Sequence, residues 1–221
     1  MVQFNTIENK NCFEGMLDIP MEFFDYSFTS PPYNRKRNDK YANYDDRNEN
    51  YFIFLSKLSY NLINRTKNHV FLNLQTNYYN KADVYNLIGE LSSYIQNIII
   101  WEKSNPLPAS GLNITNAYEL FLILGRKPLK GLHTYTKNII TTSVNTGGTT
   151  KIHKAVMKQE VADWMFDNFI PEGSTVFDPM MGLGTTAISA EKHNCCWFGY
   201  EITPEYVNKA WERIISNRRK E

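Results

Sequence analysis

The sequence predicts an α/β fold built around a mostly parallel sheet. Short apolar runs alternate with stretches in which apolar residues recur at about the 3.6-residue period of a helix. Residues 174–200 also form a strand, a glycine turn, a helix and a second strand, which is the unit from which parallel sheets are built. These two observations favour strands that alternate with helices over an all-helical or all-β chain.

The first half of the chain supplies four predicted strands. The first, over residues 26–29, ends at Pro31 and Pro32, because proline cannot donate to a strand ladder or enter a helix interior. After a polar stretch, Phe54, Leu58 and Leu62 share one face of a predicted helix over residues 51–63. The other elements of this half are strands over residues 70–74, 95–101 and 119–124 and a helix over residues 82–91.

The second half begins with a polar stretch, residues 125–152, which we expect to be an excursion on the surface. A helix is predicted over residues 154–169, where Val161, Trp164 and Met165 share a face. The remaining elements are a strand over residues 174–178, a turn over 181–184, a helix over 185–192, a strand over 196–200 and a helix over 204–216. A chain of 221 residues fits one domain, residues 1–221.

The composition excludes several classes of protein. With 24 Lys and Arg against 23 Asp and Glu, the net charge is +1, so the chain is neither a strongly basic arm nor a disordered tail. Cys12, Cys195 and Cys196 form no C-x-x-C pair, which argues against a zinc site and against a disulfide framework. No apolar run is long enough to span a membrane, and the N-terminus lacks an apolar signal region. We therefore expect a cytoplasmic protein with no bound metal and no membrane contact.

The glycine turn in VFDPMMGLGTTAISA has the features of a nucleoside site. Gly182 and Gly184 let the backbone bend sharply, so a ligand can approach bare main chain at the positive end of the following helix. Asp178 ends the preceding strand, and Glu201 ends the next one, where an acid can accept hydrogen bonds from ribose hydroxyls. The alternative is structural: the glycines close a tight turn and Glu201 is a solvated strand end.

The same turn also fits the dinucleotide pattern G-x-G-x-x-A through Gly182, Gly184 and Ala187, which would suggest a nucleotide-dependent oxidoreductase. Asp178 argues against that hypothesis, because a carboxylate at the strand end would repel a pyrophosphate. A nucleoside that carries an ammonium group would not be repelled. An oxidoreductase would also leave the segment TSPPYN without a role.

TSPPYN, residues 29–34, is suited to holding an aromatic amine. Ser30 Oγ and the Pro31 carbonyl can both accept hydrogen bonds from an exocyclic NH₂ group, and Tyr33 offers a flat ring on which a base can stack. An aromatic amine is a poor nucleophile because its lone pair is delocalised, and two acceptors would favour the pyramidal nitrogen that attacks a methyl group. The alternative is a rigid Pro-Pro loop whose tyrosine packs on a helix.

Taken together, the two segments resemble the amino-methyltransferases that act on DNA, in the permuted β order in which S/D/N-P-P-Y precedes the S-adenosylmethionine turn. Further segments extend the resemblance over nearly the whole chain, among them NKNCFEGMLDIP, WEKSNPLPASGLNITNAYEL and FGYEITPEYVNKAWERI. Methyltransferases that modify protein glutamine also carry N-P-P-Y, but after the glycine turn. The resemblance implies a Rossmann-like S-adenosylmethionine-dependent methyltransferase fold, with a mostly parallel seven-stranded sheet and helices on both faces.

Carried over position by position, the resemblance implies two sets of site residues. The catalytic set is Ser30, Pro31, Pro32 and Tyr33. The set that binds S-adenosylmethionine is Asp178, Pro179, Gly182, Gly184, Thr185, Glu201, His153, Asn11 and Cys12. The chain departs from the family pattern at Lys158, where proline is common, and at Met180, Met181 and Leu183.

The target amine depends on the residue before Pro-Pro. Serine is commonest in enzymes that methylate N4 of cytosine and aspartate in those that methylate N6 of adenine, so Ser30 favours cytosine, with adenine as the alternative. Methylation of a ring carbon needs a thiolate after proline, and none of the three cysteines follows a proline. A non-catalytic DNA-binding module is a third hypothesis, but such a protein would be expected to have lost Ser30, Tyr33 or Asp178.

Double-stranded DNA would be the substrate, with the target base flipped out at a cost of a few kcal/mol. Two groups of basic residues are candidates for binding the DNA backbone, the alternative being solvated loop charges: Arg35, Lys36, Arg37 and Lys40, and then Arg126, Lys127, Lys130 and Lys137. Residues 125–152 would form a short target-recognition region. We therefore expect either a recognition site of roughly four base pairs or a homodimer, and a cognate restriction nuclease is a further candidate partner.

Overall fold

The computed structural model describes residues 2–34, 48–106, 115–144 and 156–219. The strands in these ranges are β1 (Thr6–Asn9), β2 (Phe24–Thr29), β3 (Thr66–Leu74), β4 (Ile95–Lys103), β5 (Tyr118–Gly125), β6 (Ile139–Thr142), β7 (Thr175–Asp178) and β8 (Cys196–Glu201). The helices are α1 (Cys12–Gly15), α2 (Tyr51–Arg65), α3 (Lys81–Glu90), α4 (Gln159–Phe169), α5 (Thr185–Lys192) and α6 (Pro204–Arg218), and a 3₁₀ turn covers Met16–Asp18.

All of these strands belong to one sheet, in the order β1-β8-β7-β2-β3-β5-β4-β6. Every neighbouring pair is parallel except the two that involve β5, which is antiparallel to β3 and to β4. The predicted mostly parallel α/β sheet is therefore confirmed. Because the other strands run in one direction, their carboxyl ends lie along the same edge of the sheet, together with the start of β5.

Helices cover both faces of the sheet, as predicted. Side chains alternate between two apolar clusters along the central strands; in β5, for example, Phe121 and Ile123 belong to one cluster and Leu122 and Leu124 to the other. The first cluster is completed by buried residues of α4, α5 and α6, and the second by buried residues of α2 and α3. Both faces of this sheet are therefore buried, which accounts for the near-continuous apolar runs in its central strands.

The sheet has eight strands in the described ranges, one more than the seven expected. The short strands β1 and β6 both gave no recognisable signal in the sequence. β1 has a single apolar residue, Ile7, and pairs only with β8 at the edge of the sheet. β6 lies inside the polar stretch 125–152, where Ile140 and Thr142 face inwards while their neighbours are exposed. A four-residue edge strand buries too few side chains to give a run or a clear alternation.

The helix predicted over residues 154–169 begins at Gln159 in the structure. Residues 154 and 155 lie outside the described ranges, and Lys158 caps the helix with φ −62° and ψ 135°. A proline ring imposes a φ close to this value, so the backbone at Lys158 is compatible with the proline that is common at this position in the family the chain resembles. In the described part of the chain, no helix combines the length and the apolar character needed to cross a membrane.

Candidate functional site

The two chemically distinctive segments leave the sheet side by side. β2 and β7 are parallel neighbours with Ser27 opposite Phe177, so TSPPYN and the glycine turn both start at the same edge. The Thr29 hydroxyl donates to Asp178 Oδ1 over 2.8 Å, and both side chains are buried. Segments almost 150 residues apart in the sequence are therefore in direct contact.

A cavity of about 210 Å³ opens between them. Its walls include most of the residues predicted to form the site, namely Ser30, Pro31, Pro32, Tyr33, Asp178, Pro179, Gly182, Thr185, Glu201, Asn11 and Cys12. Gly184 is not in the wall; it lies directly before α5 as its N-cap. His153 lies outside the described residues, as do Arg35, Lys36, Arg37 and Lys40.

The glycine turn has the backbone conformation that the sequence predicted. Gly182 has φ +54° and Gly184 has φ +78°, both in the left-handed region that side chains disfavour. A Cβ on Gly182 would meet nothing closer than 3.9 Å, whereas a Cβ on Gly184 would lie 3.3 Å from both Ala210 and Ile214 of α6. Gly182 therefore provides a bend at the cavity, and Gly184 provides both a bend and close packing of α6.

Asp178 is buried at the end of β7 and accepts hydrogen bonds on both oxygens. Oδ1 accepts from Thr29 Oγ1 and from the Met180 amide at 2.9 Å, and Oδ2 accepts from Thr186 Oγ1 at 2.5 Å. Burial raises the pKa of Asp178 to about 6, against the lowering effect of these donors, and the nearby charge of Glu201 adds to the rise. Asp178 is thus a carboxylate that burial makes costly to ionise.

Glu201 joins the glycine turn to the start of α6. Its Oε2 accepts from the Gly182 amide at 2.9 Å, and its Oε1 accepts from the Thr203 amide at 2.8 Å. Burial raises the pKa of Glu201, and the backbone donors partly oppose that shift. Because each carboxylate oxygen has two lone pairs, Glu201 keeps acceptor capacity for a hydroxyl in the cavity.

Asn11 and Cys12 contribute a third side of the cavity from the start of α1. Asn11 caps that helix, since its Oδ1 accepts from the Phe13 amide at 2.9 Å. Burial raises the pKa of the Cys12 thiol to about 12, so the thiol is neutral near pH 7. A neutral buried thiol is a poor nucleophile.

The backbone of residues 30–33, which we call the clamp, is held by side chains from two elements. Tyr51 of α2 donates its hydroxyl proton to the Pro32 carbonyl at 2.7 Å. Asn77 and Asn80, in the loop between β3 and α3, donate to the Tyr33 carbonyl at 2.9 and 2.7 Å. These contacts fix the direction in which residues 30–33 face the cavity.

The side chains of the clamp enter a polar network that sequence analysis missed. Ser30 Oγ lies 2.9 Å from the Tyr33 hydroxyl and 3.0 Å from Asn73 Oδ1. The Tyr33 hydroxyl lies 2.5 Å from Asn73 Oδ1 and 2.9 Å from Glu119 Oε2, and Glu119 Oε1 is paired with Lys103 Nζ at 2.5 Å. Lys103 and Glu119 stood in a segment that resembles the family pattern, but nothing local predicts that they meet under Tyr33.

The structure does not bring the second basic group to the cavity. Arg126 and Lys127 follow the carboxyl end of β5, which is antiparallel and therefore ends at the opposite edge of the sheet, roughly 23 Å away. The Arg126 guanidinium donates to the Ile63 carbonyl at 2.9 Å, and the Lys127 carbonyl contacts His69. Lys130 and Lys137 are exposed on the connection to β6 and are absent from the cavity wall.

The fold thus places the segment TSPPYN beside the glycine turn, at one cavity on one edge of the sheet. The family model described as DNA methylase, of the N6/N4 methyltransferases, matches residues 24–146 and 133–212. The chain therefore belongs to this family of DNA methyltransferases.

Curated relatives agree with the family assignment. M.HinfI, a type II methyltransferase of Haemophilus influenzae, is 23% identical over an alignment of 247 positions, covering 95% of this chain and 68% of that protein. The orphan methyltransferase M.BamHII of Bacillus amyloliquefaciens is 40% identical over 62 residues, which are 28% of this chain and 23% of that protein. The 40% identity to M.BamHII therefore applies to a segment that covers less than a quarter of that protein.

Solved structures share the fold. The PvuII DNA methyltransferase, described as cytosine-N4-specific, superposes with a TM-score of 0.76 at 17% identity, covering all of this chain and 93% of the other. The M1.HpyAVI complex with S-adenosylmethionine superposes with a TM-score of 0.67 at 16% identity, covering 95% and 98% of the two chains. The permuted methyltransferase fold inferred from the order of the motifs is confirmed.

Proposed function

We propose that this protein transfers a methyl group from S-adenosylmethionine to the exocyclic amine of a base in double-stranded DNA, with N4 of cytosine as the favoured target. The observation that carries the proposal is the hydrogen bond from Thr29 to Asp178 at 2.8 Å. It joins the residue before the clamp to the acid before the glycine turn, so a donor held by one segment and an amine held by the other share a single cavity.

The glycine turn and its acids suit the positively charged donor. In the described part of the chain, neither Asp178 nor Glu201 lies within salt-bridge distance of a lysine or an arginine. Their negative potential is therefore available to a ligand that carries a sulfonium and an ammonium group. Glu201 can accept from the ribose hydroxyls, and the turn at Gly182 leaves main chain open to the ligand. The M1.HpyAVI complex supports this choice of cofactor on a shared fold.

The clamp suits the acceptor. Ser30 Oγ and the Pro31 carbonyl would accept the two hydrogens of the amine, which favours a pyramidal nitrogen with a localised lone pair. When bound, S-adenosylmethionine would supply the methyl group: the nitrogen lone pair would form the new N–C bond as the S–C bond broke, and the electrons of the S–C bond would stay on sulfur as a neutral thioether. The methylated nitrogen would then release one proton to solvent. The chain supplies orientation and acceptors for this step and forms no covalent intermediate.

The identity of the base rests on Ser30 and on the cytosine-N4-specific description of the PvuII enzyme. We further propose that residues 125–152 read the DNA sequence; of the described residues in this range, those from β6 to Val144 are best placed to do so. β6 runs towards the cavity edge and ends at Thr142, next to Lys103 of β4. A single short region of this kind favours a short recognition site or a homodimer, and the relatedness to M.HinfI leaves a cognate restriction nuclease as a candidate partner.

The test is transfer of a labelled methyl group. The purified chain is incubated with methyl-labelled S-adenosylmethionine and genomic DNA, the DNA is digested to nucleosides, and the product is identified by mass. We expect N4-methylcytosine; N6-methyladenine would move the target but keep the enzyme class. Asp178→Ala should abolish the transfer. Its matched control is Asp25→Ala, which also removes a carboxylate that joins β2 to β7, but at the opposite edge of the sheet, and which should retain the transfer. Label on a ring carbon, or none on DNA, would refute the proposal.

A further inference from the structure

The network below the clamp spans four adjacent strands and contains one ion pair. Ser30 and Tyr33 follow β2, Asn73 lies near the end of β3, Glu119 near the start of β5 and Lys103 at the end of β4. The side chains of Lys103 and Glu119 are 14% and 5% exposed. A lysine and a glutamate are rarely buried this deeply unless they are paired, so the pair calls for an explanation.

We propose that the Lys103–Glu119 pair, acting through Tyr33, fixes the direction of the hydroxyl hydrogen bonds so that Ser30 presents lone pairs, and not its proton, to the target amine. The inference rests on the proposed function of the clamp. It makes Glu119 a positioning residue, because Glu119 and Lys103 are absent from the cavity wall and act only through Tyr33 and Ser30.

The direction of the chain starts at the ion pair. A carboxylate paired with an ammonium group has no proton to give, so Glu119 can only accept. Its Oε2 lies 2.9 Å from the Tyr33 hydroxyl and can therefore only accept the Tyr33 proton, never donate to it. The other close neighbour of that hydroxyl, Asn73 Oδ1 at 2.5 Å, is also an acceptor. Whichever of the two it bonds, the Tyr33 proton points away from Ser30.

The orientation of Asn73 is set by the backbone. Its amide nitrogen donates to the Leu120 carbonyl at 3.3 Å, which turns its oxygen towards the two hydroxyls. Ser30 Oγ therefore faces two acceptors, the Tyr33 oxygen at 2.9 Å and Asn73 Oδ1 at 3.0 Å. Its single proton is used by one of them, and its lone pairs are left for the cavity.

This order matters because a serine hydroxyl is both a donor and an acceptor. If the Ser30 proton were free to turn towards the cavity, it could bond the lone pair of the target nitrogen. That lone pair is the nucleophile, so such a bond would oppose the reaction instead of assisting it. A buried carboxylate two hydrogen bonds away prevents this arrangement at no cost to the shape of the cavity.

The first test is Glu119→Gln. The amide can turn its NH₂ towards Tyr33, which replaces one of the two acceptors of the Tyr33 proton by a donor without changing the volume. The Tyr33 proton is then free to turn towards Ser30. We expect kcat to fall at least about tenfold, with the cofactor Kd and the KM for DNA within about twofold of the original enzyme. The control is Asp25→Asn, which removes the partner of Lys67 at the opposite edge of the sheet and should leave kcat unchanged. An unchanged kcat in Glu119→Gln would overturn the inference, and absence of methyl transfer by the unaltered enzyme would refute the function itself.

The second test is a pH profile of Lys103→Met, which remains informative if the first variant is unstable. In the described residues, the titratable groups that face Glu119 are Lys103 from β4 and Tyr33 from the loop after β2. Without the ammonium group, the buried carboxylate takes up a proton more readily and then donates to Tyr33. We expect kcat of this variant to be low at acidic pH and to recover as the pH rises. A loss that is the same at every pH would indicate a structural role and would overturn the inference.

Discussion

The two halves of the cavity bury their carboxylates in opposite ways. On the side of β7 and β8, Asp178 and Glu201 are satisfied by amides and hydroxyls, and burial raises the pKa of each. On the side of β3, β5 and β4, Glu119 is neutralised by Lys103 at 2.5 Å. The half formed by β7 and β8 therefore keeps a negative electrostatic potential. In the other half, the positive charge of Lys103 cancels the negative charge of Glu119.

This difference indicates which kind of ligand, cationic or neutral, each half of the cavity can bind. A buried carboxylate without a cation is costly, so it is tolerated where a cationic ligand supplies the missing charge. A neutralised pair exerts little field on its surroundings and can instead fix the direction of hydrogen bonds. The contrast supports the proposed division, in which the charged methyl donor binds at the glycine turn and the neutral amine binds at the Pro-Pro segment. The predictions below test that division.

The largest effect is expected for Asp178→Ala on cofactor binding. The substitution removes the negative charge and leaves the buried donors of Thr29, Thr186 and the Met180 amide unpaired. Each of these unpaired groups would cost about 1 to 3 kcal/mol, so the half of the cavity formed by β7 and β8, the donor half, would lose its shape as well as its charge. We expect the cofactor Kd, measured by calorimetry, to rise at least about 1,000-fold. Tight binding by this variant, checked for folding by circular dichroism, would refute the donor site.

Tyr33→Ala should separate the two halves. The ring and hydroxyl of Tyr33 support the clamp, whereas none of the hydrogen bonds to Asp178 involves Tyr33. We expect kcat to fall at least about 100-fold, because the amine would no longer be held in line with the methyl group. Cofactor affinity should be unchanged, and Tyr85→Ala, at an exposed tyrosine of α3, is the control. A parallel loss of cofactor affinity would show that the halves are not independent.

The pH dependence of cofactor binding tests the charge on the donor half. Burial raises the pKa of Asp178 to about 6, and only the ionised form attracts a cation. Affinity should therefore be constant above that pH and should fall as the pH drops through about 6, by up to about tenfold for each further unit. Asp178→Asn should lack this dependence. An unaltered enzyme whose affinity is flat between pH 5 and pH 8 would contradict the role of Asp178.

Features encoded by local sequence could be predicted. The end of β2 at Pro31 and the bend at Gly182 follow from single residue types, and the acids at the ends of β7 and β8 follow from where those strands stop. Parallel neighbours then share an edge, which brings the two segments into one cavity. These features could be predicted because each of them depends on residues that are close together in the chain.

Features encoded by strand pairing could not be predicted. Asn73, Lys103 and Glu119 meet only because β5 is inserted antiparallel between β3 and β4, in a register that no local pattern fixes. The same reversal carries Arg126 and Lys127 to the opposite edge, away from the clamp that they were expected to flank. Position in the sequence gave no indication of that reversal.

The smallest effects should distinguish the two glycines of the donor half. Both have positive φ, so alanine at either position is strained by about 1 kcal/mol. At Gly184 the new methyl would also press on Ala210 and Ile214, and we expect a total loss of about 2 to 3 kcal/mol in urea denaturation. At Gly182 there is room, so stability should fall by only the strain, while cofactor affinity falls because this residue lines the cavity. If both variants lost stability equally, α6 would not be packed against the turn as described.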